Sequence, residues 1–134
     1  MGYYSEVAFT ITAKALENLR NLINNNELEL ALITLEMLEN ADKHSIDEET
    51  KAEIFYWSAS KWYHDFEEIS CFHNALDELD FEDYLFIRIG EEFEDIEMQG
   101  YFWENPFGLD LVRTVEFSIA EEENIIAEEA EEVK

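Results

Sequence analysis

The sequence predicts an α+β fold: a mainly antiparallel sheet with helices on one face, loosely ferredoxin-like, in a single domain. Three observations predict it. Short stretches alternate apolar and polar residues, as half-buried strands do, and apolar stripes at three- and four-residue spacing lie between them, as amphipathic helices require. The chain has 134 residues, 47% hydrophobic and 14% aromatic, enough to bury one core and too bulky for disorder. Four Gly and one Pro leave little room for long irregular linkers.

Taken in order, Glu6 to Thr12 alternates, with Val7, Phe9 and Ile11 on one face. Thr12 is placed to cap a helix whose stripe is Leu16, Leu19, Leu22 and Ile23. Asn24, Asn25 and Asn26 break it, and a second helix is expected from about Glu27 to Asp42, paired with the first as a hairpin or a bent helix. Ser45 with Glu48 fits a capping box and predicts a short helical turn. Ala52 to Ala59 reads as a strand, against a competing continuous helix from Ser45 to Leu79. Asp65 to Leu79 is helical by spacing, Tyr84 to Ile89 is a strand, and Gly90 opens a turn. Glu94 to Gly100 is a further strand with Ile96 and Met98 facing one way; Asn105 to Gly108 turns, and Leu111 to Ile119 alternates as a last strand. The domain is assigned to residues 1–120, and residues 121–134 to an acidic C-terminal helix or tail.

Charge is the feature that fold alone does not explain. The chain carries 34 acids against 8 bases, a net charge of −26. Residues 64–134 hold 23 of those acids and 3 of the bases, a net of −20. Self-repulsion of this size works against a compact state, so it calls for a reason. The chain is organised around Asp77 to Glu104, where carboxylates flank the apolar run Tyr84 to Ile89 and only Arg88 opposes them. Carboxylates two apart on a strand lie about 6.6 Å apart, from a rise of ~3.3 Å per residue. Helical neighbours three or four apart lie ~5–6 Å apart. Either spacing suits a Lys/Arg groove built for phosphates.

Other classes find little support. Phosphate contacts need Lys and Arg, so direct nucleic-acid or anionic-membrane binding is not expected. No apolar run approaches the ~18 residues of a membrane span, and no signal peptide is expected. Glu6 stands where a myristoylation pattern wants Ser or Thr. Cys71 is the only cysteine, so an internal disulfide is excluded and a cytoplasmic location is expected. Halophilic acidity would come with fewer bulky apolar residues. No Gly-rich phosphate loop and no nucleophile–His pairing is present, so no enzyme, catalytic residue or cofactor is expected. The calcium-loop spacing is missing from both acid clusters. Cys71 and His73 point to different sides of the expected helix; His64 and Cys71 share a face, but two ligands do not make a metal site, and Cys71 reads as buried filler. Arg88 and Arg113 are expected to pair internally with nearby carboxylates.

The run Lys61, Trp62, Tyr63, His64, Asp65, Phe66, then Arg88, Ile89, Gly90, Glu91 and Glu94, Asp95, Ile96, Glu97 resembles a pattern in small phage-encoded proteins. The opening Tyr3, Tyr4, Ser5, Glu6, Val7 is similar to it too. Size and charge also resemble phage DNA-mimic proteins that block restriction or CRISPR nucleases; that likeness is compositional and transfers no residue role. It implies a non-enzymatic inhibitor in the host cytoplasm that occupies the nucleic-acid groove of a basic defence nuclease or DNA-binding protein. The expected partner surface is Asp77, Asp80, Glu82, Asp83, Glu91, Glu92, Glu94, Asp95 and Glu97, with Trp103 as an aromatic anchor and the Glu-rich tail assisting. The alternative is an assembly protein that homodimerises through exposed aromatics, its acidity serving solubility.

Overall fold

In the computed structural model, residues 2–112 are described, together with the backbone of 128–129 and 131–132. Strand β1 (Ser5–Ile11) lies at the centre, paired antiparallel with β3 (Glu53–Ser60) on one side and β4 (Tyr84–Ile89) on the other. Its alternation decides this position. Val7, Phe9 and Ile11 are fully buried on one face, while neighbours on both sides satisfy its backbone groups. β2 (Lys43–Ile46) extends the sheet beyond β3, and β5 (Ile96–Gly100) extends it beyond β4, giving the order β2-β3-β1-β4-β5. β1 and β2 are both antiparallel to β3, which lies between them. This is the split βαβ arrangement of ferredoxin-like folds, with a helix pair as the first crossover and β5 as an added edge.

Three helices complete the core: α1 (Ala13–Asn24), α2 (Leu28–Glu39) and α3 (Glu67–Leu76). Thr12 caps α1 as expected, its Oγ1 accepting from the Ala15 N–H at 3.2 Å. The Asn run ends α1 because the Asn26 side chain donates to the carbonyls of Leu22 and Ile23. Leu16, Leu19 and Ile23 of α1, Leu38 of α2 and Phe72 and Leu76 of α3 join Phe9, Phe55 and Phe86 of the sheet in one cluster. Phe72 meets Phe9 edge-on, ring centroids 5.1 Å apart, a favoured aromatic geometry.

The strand expected at Ala52–Ala59 is β3, so the continuous helix from Ser45 to Leu79 does not form. The helical turn expected at Ser45 is corrected: Ser45 lies in β2. Asp47 explains the difference. Its Oδ2 accepts from both the N–H and the hydroxyl of Thr50 at 2.8 Å, tightening a hairpin loop that Lys51 closes with a left-handed φ of 68°. Four cross-strand pairs with β3 then outweigh one local capping motif. The last expected strand is not seen at its described start, since Leu111 and Val112 are irregular; its remainder, 113–119, lies outside the described residues. Most of the expected tail, 121–134, does too, apart from Glu128–Glu129 and Glu131–Glu132, which pair with each other as a separate two-stranded ladder.

The sheet face away from the helices carries Ala8, Ile54, Tyr56, Ile87 and Ile89, and Leu109–Val112 crosses it above a hollow of about 390 Å³. Among the described residues no helix is long and apolar enough to cross a membrane.

Candidate functional site

Tyr84–Ile89 divides the acid-rich stretch in two. At one end of β4 lie Asp77 at the C-cap of α3, then Asp80, Glu82 and Asp83 around a 3-10 turn (Phe81–Asp83). At the other end Glu91, Glu92, Glu94 and Asp95 form the turn into β5. Of the nine expected partner-binding acids only Glu97 lies on a strand. The regular strand or helix spacing anticipated from the sequence therefore describes none of these pairs. Two exposed acidic turns, set apart by the length of β4, replace it.

These carboxylates differ in how free they are. Glu82, Glu92 and Glu94 are exposed, and among the described residues no ion pair neutralises Asp77, Asp80, Glu82, Asp83, Glu91, Glu92 or Glu94. Some still have local duties. Asp80 accepts from the Glu82 N–H, Asp77 from the Gln99 amide and Glu91 from the Tyr4 N–H. Asp95 and Glu97 are engaged further. Arg88 is clamped by both, Nη2 to Asp95 at 2.7 Å and Nε to Glu97 at 2.9 Å, and it donates to the Ser5 hydroxyl as well. Arg88 is the internal partner expected of it.

That clamp gathers residues from three separated runs: Tyr3, the pair Tyr63 and His64, and Arg88 to Glu97. The Tyr3 hydroxyl donates to Asp95 at 2.6 Å and accepts from the Glu92 N–H, while the Tyr3 N–H donates to the Tyr63 hydroxyl. His64 donates to Glu97 at 3.0 Å. A Cβ at Gly90 would meet the Asp95 carboxylate and the Tyr3 hydroxyl, so a larger residue there would have to shift both. Hydrogen bonds from Arg88 and then Tyr3 hold the Asp95 carboxyl down at about 2. The hydrogen bond to Asp95 in turn is the main reason the Arg88 guanidinium is raised above its usual value, and the separate bond from the Tyr3 hydroxyl to Asp95 raises the Tyr3 phenol. Burial pushes the Glu97 carboxyl up, but hydrogen bonds from Arg88 and His64 outweigh it and leave it lowered.

His64, His73 and Glu97 bring their polar atoms within 4.8 Å of one another, a grouping the sequence does not announce because His64 precedes α3 instead of sharing its face with Cys71. The donor chemistry decides what this group can do. Indole N–H only donates, and Trp62 Nε1 donates to His73 Nε2 at 3.0 Å, occupying that lone pair. The Gln99 amide nitrogen donates to Asp77 and to the Tyr84 hydroxyl, so its oxygen faces His73 Nδ1 and accepts the ring proton at 3.1 Å. Both nitrogens of His73 are thus committed in the neutral ring. A metal would have to displace Trp62 or Gln99, and Arg88 adds positive charge at Glu97. The group fits a proton-sensitive structural link better than a metal centre.

Burial is the largest cause of a lowered His73 pKa. The folded value lies below the unfolded one, so the unfolded chain binds more protons in between and stability rises with pH up to about 6.5. We expect the urea midpoint to fall as pH drops from 7 towards 5, and His73→Gln to flatten that slope. An unchanged slope in the variant would assign it to another group.

Trp103 is 52% exposed, as is Tyr101, whereas Phe55, Trp57 and Trp62 are core. Cys71 is buried, as expected of a small filler. Sequence reasoning missed Tyr3, His73 and Gln99 as members of the clamp and the link, and Phe81 as a neighbour of Tyr101. Comparison of the chain with protein-family models, with curated proteins and with solved structures finds no significant match.

Proposed function

We propose that this is a non-enzymatic acidic protein of phage type that occupies the nucleic-acid groove of a basic host protein, a defence nuclease or a DNA-binding protein, in the cytoplasm. The carrying observation is the pair of acidic turns at the two ends of β4, in which seven of the nine expected carboxylates have no ion pair among the described residues. A six-residue strand is about 17 Å long. Over that length duplex DNA presents about ten phosphates, one per ~1.7 Å. Residues 77–97 hold ten carboxylates and one Arg, most of the carboxylates grouped at the two ends of β4. The sheet supports the reading because the pairing of β4 with β1 and β5 sets the backbone between the two turns before binding, which leaves less to order.

The test is capture from host lysate on immobilised protein with elution by a salt gradient. A nucleic-acid-binding protein released at moderate salt is the expected result, because charge-dominated contacts weaken steeply with salt. Retention of no basic protein at low salt would contradict the proposal and leave acidity a matter of solubility.

A further inference from the structure

We infer that the exposed aromatic ladder of Phe81, Tyr101 and Trp103 takes arginine side chains from a basic segment of the partner protein. This rests on the proposed binding of a basic partner and names the chemistry of recognition. Phe81 and Tyr101 have ring centroids 4.9 Å apart, and Tyr101 and Trp103 5.8 Å. Each ring is at least 51% exposed. Three adjacent large aromatics half in water make a patch that packing among the described residues does not explain.

The ladder is pre-ordered. The Tyr101 N–H donates to the Phe81 carbonyl and the Trp103 N–H to that of Tyr101, while the Phe102 N–H ties the segment to Tyr84 at 3.0 Å. Gly100 makes this path possible. It takes a φ of 94°, and a Cβ there would strike the Tyr84 carbonyl.

Charge complementarity selects the occupant. Tyr101, Phe102 and Trp103 line a groove of about 430 Å³ together with Glu82, Asp83 and Glu104. Among the described residues the cations over rings are Lys43 on Tyr56 and Lys61 on Tyr4, and none lies on the ladder. Aromatic faces beside carboxylates suit a cation that stacks and pairs at once. A planar, weakly hydrated guanidinium does both, whereas a compact, strongly hydrated ammonium gains less from stacking.

The test titrates the full chain with oligo-arginine and oligo-lysine peptides of equal length, read by calorimetry and tryptophan emission. Trp57 and Trp62 are buried, so Trp103 is the tryptophan positioned to respond. We expect the arginine peptide to bind about tenfold more tightly than the lysine peptide and to change Trp103 emission. Trp103→Ala should weaken the arginine peptide about three- to thirtyfold, and Trp103→Phe should keep most of the affinity. Circular dichroism checks that both variants stay folded. If Trp103→Ala binds the arginine peptide like the parent while loss of Glu82 still weakens it, the ladder assignment is overturned and the charge-based reading stands. If neither peptide binds at low salt, both fall. Salt-resistant self-association abolished by Trp103→Ala would instead assign the ladder to a second copy of this chain.

Discussion

Alanine in place of Arg88 is expected to destabilise the protein by about 3 kcal/mol, because the Arg88 side chain is 13% exposed and its loss leaves two carboxylates partly buried together without their cation. Against a typical total of ~5–15 kcal/mol this is a large fraction. It corresponds to a fall in Tm on the order of 10 °C for a chain of this length. The damage should spread along both routes from Arg88, through Asp95 to Tyr3 and through Glu97 to His64. Restoring neutrality with Asp95→Asn and Glu97→Gln in the Arg88→Met background should recover part of the loss, since the penalty is uncompensated charge more than lost volume. Thermal denaturation of the variants checks this; an Arg88→Ala Tm within a degree or two of the parent would show the clamp to be incidental. The clamp also sets an acid limit. Asp95 has a folded pKa of about 2, below the 3.8 ordinary for an aspartate, so its stabilisation is present above about pH 4 and is lost as pH falls through 2.

Reversing the three free acids with Glu82→Lys, Glu92→Lys and Glu94→Lys should abolish partner binding while leaving the fold intact. These side chains are exposed and, among the described residues, make no hydrogen bond or ion pair, so the described packing does not depend on them. Their replacement moves net charge from −26 by six units to −20, which relieves self-repulsion and favours the compact state slightly. Turning three attractions into repulsions across an interface should weaken binding by ~100-fold or more. Affinity for the captured partner and urea denaturation of the same variant, measured side by side, separate the two effects. Binding within a few-fold of the parent would remove the acidic turns from the interface.

Much of the fold was legible because it is written locally. The alternation of β1, the Thr12 cap, the Asn break and the stripe of α3 each follow from residues within a few positions. β2 was not legible, since its four residues are strand only by pairing with β3 after Asp47 closes the loop, while Ser45 and Glu48 offer a local helical alternative. The acid clusters were legible as charge but not as shape. Contiguity in sequence suggested one surface, and only the run of β4 between them sets them at opposite ends of a strand. Arg88 was legible as an internal partner because so few cations stand near so many acids. Tyr3 was not, because a hydrogen bond to Asp95, 92 positions away, leaves no periodic trace. Phe81 was hidden for the same reason: an exposed ring on a short turn belongs to no stripe.

If this protein occupies the nucleic-acid groove proposed for it, the two compete for one surface of the partner. Displacement of labelled duplex DNA from the captured partner measures that competition. The protein is expected to release the DNA at low salt, release is expected to fade as salt rises, and the variant with Glu82, Glu92 and Glu94 reversed is expected to release none. A ternary complex, in which DNA and this protein are held together by the partner, would contradict it.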